Sequence, residues 1–319
     1  MEKTVPRSTP LSRYAWLSIG AALITIALKA AAWHFTGSVG LLSDAMESVV
    51  NLIGAVMALA MLTVAARPAD ETHAYGHYKA EYFASGMEGA MILIAAASIG
   101  FAAAKRLITP LPLENVGLGL SVSVAAALVN LLVALVLRRA GRAHESVTLE
   151  ADSHHLLTDV LTTVGVVIGI GLVVLTGWER LDPIIGLMVA FVIVLTGVRI
   201  VTKSVYGLMD TALPVSEQDA LRAVFERYIG EEGVDFHALR TRRSGVRRFV
   251  SVHVLVPGEW TVHRGHELLE HIEADVRDTL PNVSILTHLE SRDDPSAYED
   301  VALERAGLER RTRERRREG

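Results

Sequence analysis

The chain has 319 residues, 50% of them hydrophobic, 6% aromatic and 21% charged, with no cysteine and a formal net charge of -5. This composition excludes a mainly disordered chain, a disulfide-stapled secreted scaffold and any chemistry that needs a thiol. The acidic balance also argues against nucleic acid as a partner, since a phosphate-binding domain needs a basic face.

Apolar residues crowd into the part before residue 208, in runs long enough to cross a ~30 Å hydrocarbon layer, which takes about 20 helical residues. Six runs stand out, at 14–35, 39–64, 82–104, 116–137, 146–176 and 184–205. They predict an α-helical membrane protein with six transmembrane helices over 12–208, behind a short N-terminal tail at 1–11. Lys3, Arg7, Arg13, Arg67, Lys79, Arg138, Arg139, Arg142 and Lys203 all fall on one side of such a bundle. That bias puts both termini in the cytoplasm. The segment after Arg13 is too long for the apolar part of a cleavable signal, so it reads as an uncleaved first helix. Membrane lipid is the expected surrounding, and the bacterial inner membrane the expected location.

Residues 209–292 have the composition of a soluble domain. A helix is predicted over 215–229 with Ser216 as its N-cap, then strands over 233–241 and 248–256 joined at Ser244-Gly245. A helix over 262–280 and a strand over 283–289 complete an αββαβ order, an α+β domain with its helices on one face of a small sheet. From 293 to 319 the chain reads as a charged, disordered tail ending in Arg310, Arg311, Arg313, Arg315, Arg316 and Arg317, with anionic headgroups as the alternative partner.

The polar residues inside the apolar runs carry the chemistry. In the second run Asp44, Glu47, Ser48 and Asn51 share one helical face, and in the fifth Asp152, His155, Thr158 and Asp159 do the same. Each ionisable group near the bilayer centre costs about 2.5 to 3.5 kcal/mol, so two such stripes are expected to face each other or a wet cavity. A bound cation resolves the cost. Glu47 and Asp159 offer two carboxylates, His155 an imidazole and Asn51 an amide oxygen, so a divalent ion leaves the set neutral. Without the ion the same groups take up protons, which suggests metal out for proton in. An interhelical hydrogen-bond network is the competing reading, although Ser, Thr and Asn serve that role without acids. Asp44 and Asp152 are further candidates for the same site.

A second cluster, Asp70, His73 and His77, lies in the short connection between the second and third runs, where a loop can wrap a metal. A third group, His237, His253, His266, His288 and Glu290, is spread through the soluble domain. No His-Glu-x-x-His signature of a hydrolytic metal centre occurs, so a transporter is expected rather than an enzyme. A metal-gated channel or a membrane metal sensor is the alternative.

Taken together, the six runs, the paired stripes, the segment Pro68-Ala69-Asp70 through His73 to Gly76-His77 and the segment Gly207-Leu208-Met209-Asp210 before Leu213-Pro214 resemble the cation diffusion facilitator family. The resemblance implies a homodimeric exporter of divalent metal cations driven by proton antiport, with a metallochaperone-like cytoplasmic domain. It assigns Glu47, Asn51, His155 and Asp159 to the transport site, Asp70, His73 and His77 to a loop site, and His237, His253, His266, His288 and Glu290 to a cytoplasmic site. By the same match, Lys79 and Asp210 form a salt bridge at the cytoplasmic base of the helices. Two departures stand out. Zinc exporters of the family commonly carry His or Asp and then Asp at the positions of Glu47 and Asn51, so Mn2+, Fe2+ and Co2+ join Zn2+ as candidate cargoes. Leu289, between His288 and Glu290, offers only its backbone, which leaves the cytoplasmic site incomplete.

Overall fold

A computed structural model describes residues 11–36, 39–109, 116–178 and 180–302. The N-terminal residues 1–10 and the arginine-rich end from 303 onward lie outside the described residues. The chain forms two compact units, one up to Met209 and one from Asp210.

The first unit is helical: α1 (Ser12–Thr36), α2 (Val39–Ala65), α3 (Ala80–Ile108), α4 (Val116–Ala143), α5 (Val147–Thr176) and α6 (Leu181–Leu208). Four of them contain stretches long and apolar enough to cross a membrane: Ser12–Ala32, Ala80–Ile108, Ser121–Ala143 and Pro183–Leu208. In α2 the described apolar stretch is the shorter Asn51–Ala65. Both α2 and α5 carry the polar stripes, and acids and amides dilute the hydropathy on which spans are recognised. Local signals set the limits of α5. The Ser146 hydroxyl accepts from the Leu149 amide at 3.4 Å, and Gly177, at φ +69°, closes the other end through its N–H to the Val173 carbonyl.

Two apolar cores organise the unit. One gathers Ala15 and Ala21 of α1, Leu62 of α2, Ala134 and Leu137 of α4, and Leu149 and Leu156 of α5. The other joins Ile92 and Ala96 of α3, Ile193 and Ile200 of α6, and Ala151 of α5. Glycines let α3 and α6 approach closely, since a Cβ on Gly197 would lie 2.8 Å from Leu93, and one on Gly89 would lie 2.8 Å from Val201 Cγ2 and 3.1 Å from its backbone nitrogen. A Gly89→Val substitution is therefore expected to destabilise the helical unit by about 1–3 kcal/mol through overpacking, read as a lower melting temperature in detergent.

The second unit runs α7 (Val215–Glu231), β1 (Asp235–Ser244), β2 (Arg247–Val256), α8 (Val262–Thr279) and β3 (Val283–Ser291), which is the expected αββαβ order. β2 is the central strand, antiparallel to β1 and parallel to β3. Parallel pairing requires a crossover, and α8 supplies it. Leu221, Val224 and Phe225 of α7 and Leu268, Ile272 and Val276 of α8 pack on Val250, Val252, Val254 and Val256, leaving the odd-numbered Ser251 and His253 on the other face of β2.

Ser216 is not the N-cap, because α7 starts at Val215 with Pro214 in the capping position. The Pro214 carbonyl accepts the Glu217 and Gln218 amides, both at 3.0 Å. Glu217 then turns back to the sheet, where its carboxylate takes two 2.9 Å hydrogen bonds from the buried Arg248 guanidinium. The charged tail also begins later than expected, since Pro295–Ala302 forms a short 3-10 helix with Ala297 buried.

Candidate metal centres

The polar stripe of α5 meets α2 and α4 inside the helical unit. Asn51 donates through Nδ2 to Asp159 Oδ2, and Asn130 of α4 donates to the same oxygen at 3.2 Å. On its other side the Asn51 carbonyl oxygen lies 2.7 Å from His155 Nε2. Asn51 and His155 are buried, and so is Ser48 one turn before Asn51. Three of the four residues assigned to the transport site thus converge. The fourth, Glu47, and its neighbour Asp44 are on α2, but their side chains lie outside the described residues.

Asp152 sits one turn before His155 on the same face of α5, fully withdrawn from solvent, and accepts from the Ser18 hydroxyl at 3.1 Å. Sequence reasoning missed two members of this neighbourhood. Asn130 reads as an ordinary polar residue in the fourth run, yet it touches Asp159. Glu88 of α3 is 1% exposed and places Oε2 3.7 Å from His155 Nδ1. The signal that flagged α2 and α5, an acid within an apolar run, was present for Glu88 as well. Ser85 and Glu81 stand about one and two turns before it on the same face, so α3 carries a polar stripe of its own.

In the loop between α2 and α3, Asp70, His73 and His77 bring one ligand atom each to within 4.8 Å of one another. An Asx turn builds this arrangement: Asp70 Oδ1 accepts from the Thr72 amide at 3.0 Å and the His73 amide at 2.7 Å, and Gly76 at φ +83° returns the chain toward His77. The Thr72 hydroxyl and the His73 amide hold the Asp70 carboxyl at a pKa of about 2, below its ordinary 3.8. A lowered pKa means that the folded loop favours the carboxylate. Its contribution is present above the ordinary value and is lost as the pH falls through about 2. Amide NMR shifts of Thr72 and His73 should therefore titrate with a midpoint of about 2, whereas a midpoint at 3.8 would show that the turn does not form.

On the open face of the sheet, strand register aligns three imidazoles: His237 is opposite His253, and His253 is opposite His288. The Glu290 carboxylate lies among them, with Oε2 2.7 Å from His237 Nε2 and Oε1 3.0 Å from His253 Nδ1 and 3.5 Å from His288 Nε2. His237, His253 and Glu290 form the compact set, while His288 is its exposed outer member. An irregularity in β1 between His237 and Arg240, with Ala238 at φ +50°, lets the strand bend beside the cluster. Leu289 does not interrupt the set. Strand alternation turns it to the helix face, against Gly265, and keeps His288 and Glu290 on one side. His266 is left out, because it stands exposed on α8, which covers the opposite face.

The pair assigned to Lys79 and Asp210 involves both units. Within its own unit, Lys79 donates to the Leu208 carbonyl at 3.1 Å, and Asp210 accepts from Arg242 at 3.1 Å.

Two buried or half-buried histidine–carboxylate centres and a third in a loop, joined to a unit of apolar helices, define a membrane protein that handles metal cations. Residues 15–209 match the cation efflux transmembrane domain, and residues 213–292 match the cation efflux protein cytoplasmic domain. The chain belongs to the cation efflux, or cation diffusion facilitator, family, which is a family of transporters rather than enzymes. It is 49% identical over 286 residues to the uncharacterized transporter sll1263 of Synechocystis sp., covering 90% of this chain and 92% of that one. It is also 28% identical to the cation-efflux pump FieF of Salmonella arizonae over 278 residues, covering 87% and 92% of the two chains. Among solved structures, the metal-bound C-terminal domain of the CzcD transporter from Thermotoga maritima is 22% identical, covers 26% of this chain and 99% of its own, and has a TM-score of 0.24.

Proposed function

We propose that this protein exports divalent transition-metal cations from the cytoplasm in exchange for protons, by alternating access, as a homodimer with six membrane-spanning helices and cytoplasmic termini. The bacterial inner membrane is the fitting location. The observation that carries this reading is the convergence of buried Asn51, Asn130 and His155 with the half-buried Asp159 inside the apolar helices. Such a set is costly in a membrane unless a cation or protons visit it.

Glu47, Asn51, His155 and Asp159 hold the cargo in this scheme. His155 must be neutral to bind metal and becomes free to take a proton on release, so it links the two fluxes. The nitrogen and oxygen donors, without sulfur, suit Zn2+ and also admit Mn2+, Fe2+ and Co2+. The Asp70–His73–His77 loop would collect cytoplasmic metal. The His237–His253–Glu290 cluster would sense it and tighten the dimer, and Lys79 with Asp210 would brace the base of the helices.

Vesicles carrying the protein and a pH gradient test the scheme when offered Zn2+, Mn2+, Fe2+, Co2+ and Cd2+ in turn. Uphill accumulation of at least one metal that collapses with the gradient is the expected result. Metal movement that only runs downhill and ignores the gradient would instead mark a channel.

A further inference from the structure

The geometry points to Glu88 as a cation ligand on the second face of His155, forming with Asp152 an intake station through which cargo reaches the transport site. This inference rests on the transport reading above and adds to it a residue and an order of binding.

His155 has one nitrogen for each side. Nε2 faces Asn51 and, through it, Asp159 and Asn130; Nδ1 faces the Glu88 carboxylate at 3.7 Å. Glu88 is 1% exposed, and neither of its oxygens has a hydrogen-bond partner among the described residues. The same holds for Oδ2 of Asp152, whose other oxygen takes the Ser18 hydroxyl. Two buried acids thus keep three oxygens without a donor, although hydroxyl donors are ordinary components of such a core. Buried polar atoms without partners call for an occupant. Space has also been kept for Glu88, because a Cβ on Gly54 would lie 2.8 Å from Oε1.

Position sets the order of binding. The starts of α3 and α5 lie side by side, tied by the Ser146 hydroxyl donating to Glu81 at 2.5 Å and the Thr148 hydroxyl donating to the Glu81 carbonyl at 3.2 Å. At 1.5 Å of rise per residue, Asp152 lies about 8 Å into α5, Glu88 and His155 lie about 12 Å in, and Asp159 about 18 Å. A cation entering from that end meets Asp152 first, then Glu88 and His155 Nδ1, then Asp159.

Charge supports the same assignment. On the Nε2 face Asn51 and Asn130 bring amides to Asp159, with Glu47 as the second acid assigned to the transport site. Glu88 supplies an acid on the Nδ1 face, and Asp152 a second one a turn earlier on α5. Two carboxylates and an imidazole favour harder divalent ions such as Mn2+ and Fe2+, along with Zn2+.

The test uses the full chain in detergent at fixed pH, in a His73→Ala, His77→Ala, His237→Ala, His253→Ala background that silences the other centres, with Mn2+ and Zn2+ as probes in equilibrium dialysis. Glu88→Gln preserves size and packing and should weaken cation binding by at least about tenfold, a loss of the order seen when groups supporting a metal site are removed. Glu88→Asp, which keeps the charge with a shorter reach, should fall between the two. In vesicles the KM for metal should rise with Glu88→Gln by a similar factor. Wild-type affinity in both Glu88 variants, with an unchanged melting temperature, overturns the station. Asp159→Ala run in parallel separates the two readings: its retaining full flux would sink the transport site, while the Glu88 titrations still decide the station on their own.

Discussion

Asp159→Ala is expected to abolish metal–proton exchange while leaving a folded protein that elutes and melts like wild type. Asp159 Oδ2 is the acceptor on which the Asn51 and Asn130 amides converge, so the substitution removes both a charge and the hub of the network. The orphaned amides would cost about 1–3 kcal/mol each if left dry, but the new alanine opens room for water, which limits the damage to the fold. Transport has no such substitute, because water cannot replace the charge that balances a divalent ion. Flux measured in pH-gradient vesicles should therefore drop to the protein-free background. An Asp159→Asn variant sharpens the point, since it keeps the shape of the side chain and should be just as inactive.

The second large effect belongs to Glu290. Its carboxylate lies within ion-pair distance of three imidazoles, so Glu290→Ala leaves His237, His253 and His288 facing one another with nothing between them. Bound metal stabilises a fold by about 2.7 kcal/mol when its concentration is a hundred times the dissociation constant. That metal-induced rise in melting temperature should disappear for the C-terminal unit in Glu290→Ala. The helical unit keeps its own centre, so saturating transport should fall far less than in Asp159→Ala. Equal loss of transport in the two variants would show that the cluster is part of the translocation path rather than a sensor beside it.

Much of this was legible because periodicity is legible. The αββαβ order followed from apolar spacing alone, and the α5 stripe placed His155 and Asp159 on a common face before any partner was known. What escaped the sequence depended on neighbours from distant elements. Glu88 lies on an α3 stripe with Ser85 and Glu81, but only packing against α5 gives it His155 as a partner. Leu289 looked like a gap in a ligand series when read as consecutive residues. The pleat makes it the natural spacer between two ligands on one face. His266 shows the converse, a candidate ligand on α8 that the layer order of the domain sets on the opposite face of the sheet from His237, His253 and His288. Ser216 shows how a capping preference yields when Pro214 already supplies the carbonyl that the first turn needs.

The two apolar cores of the helical unit have a mechanical consequence. One draws on α1, α2, α4 and α5, the other on α3 and α6 with a single buried contribution from α5. His155 lies at their seam, with Nε2 bonded into the first packet and Nδ1 turned toward the Glu88 carboxylate of the second. Sliding of the packets would strain this ring together with the Ser146 and Thr148 hydrogen bonds to Glu81 that also tie α5 to α3. The imidazole thus touches both packets, so whatever occupies its two nitrogens acts on both at once.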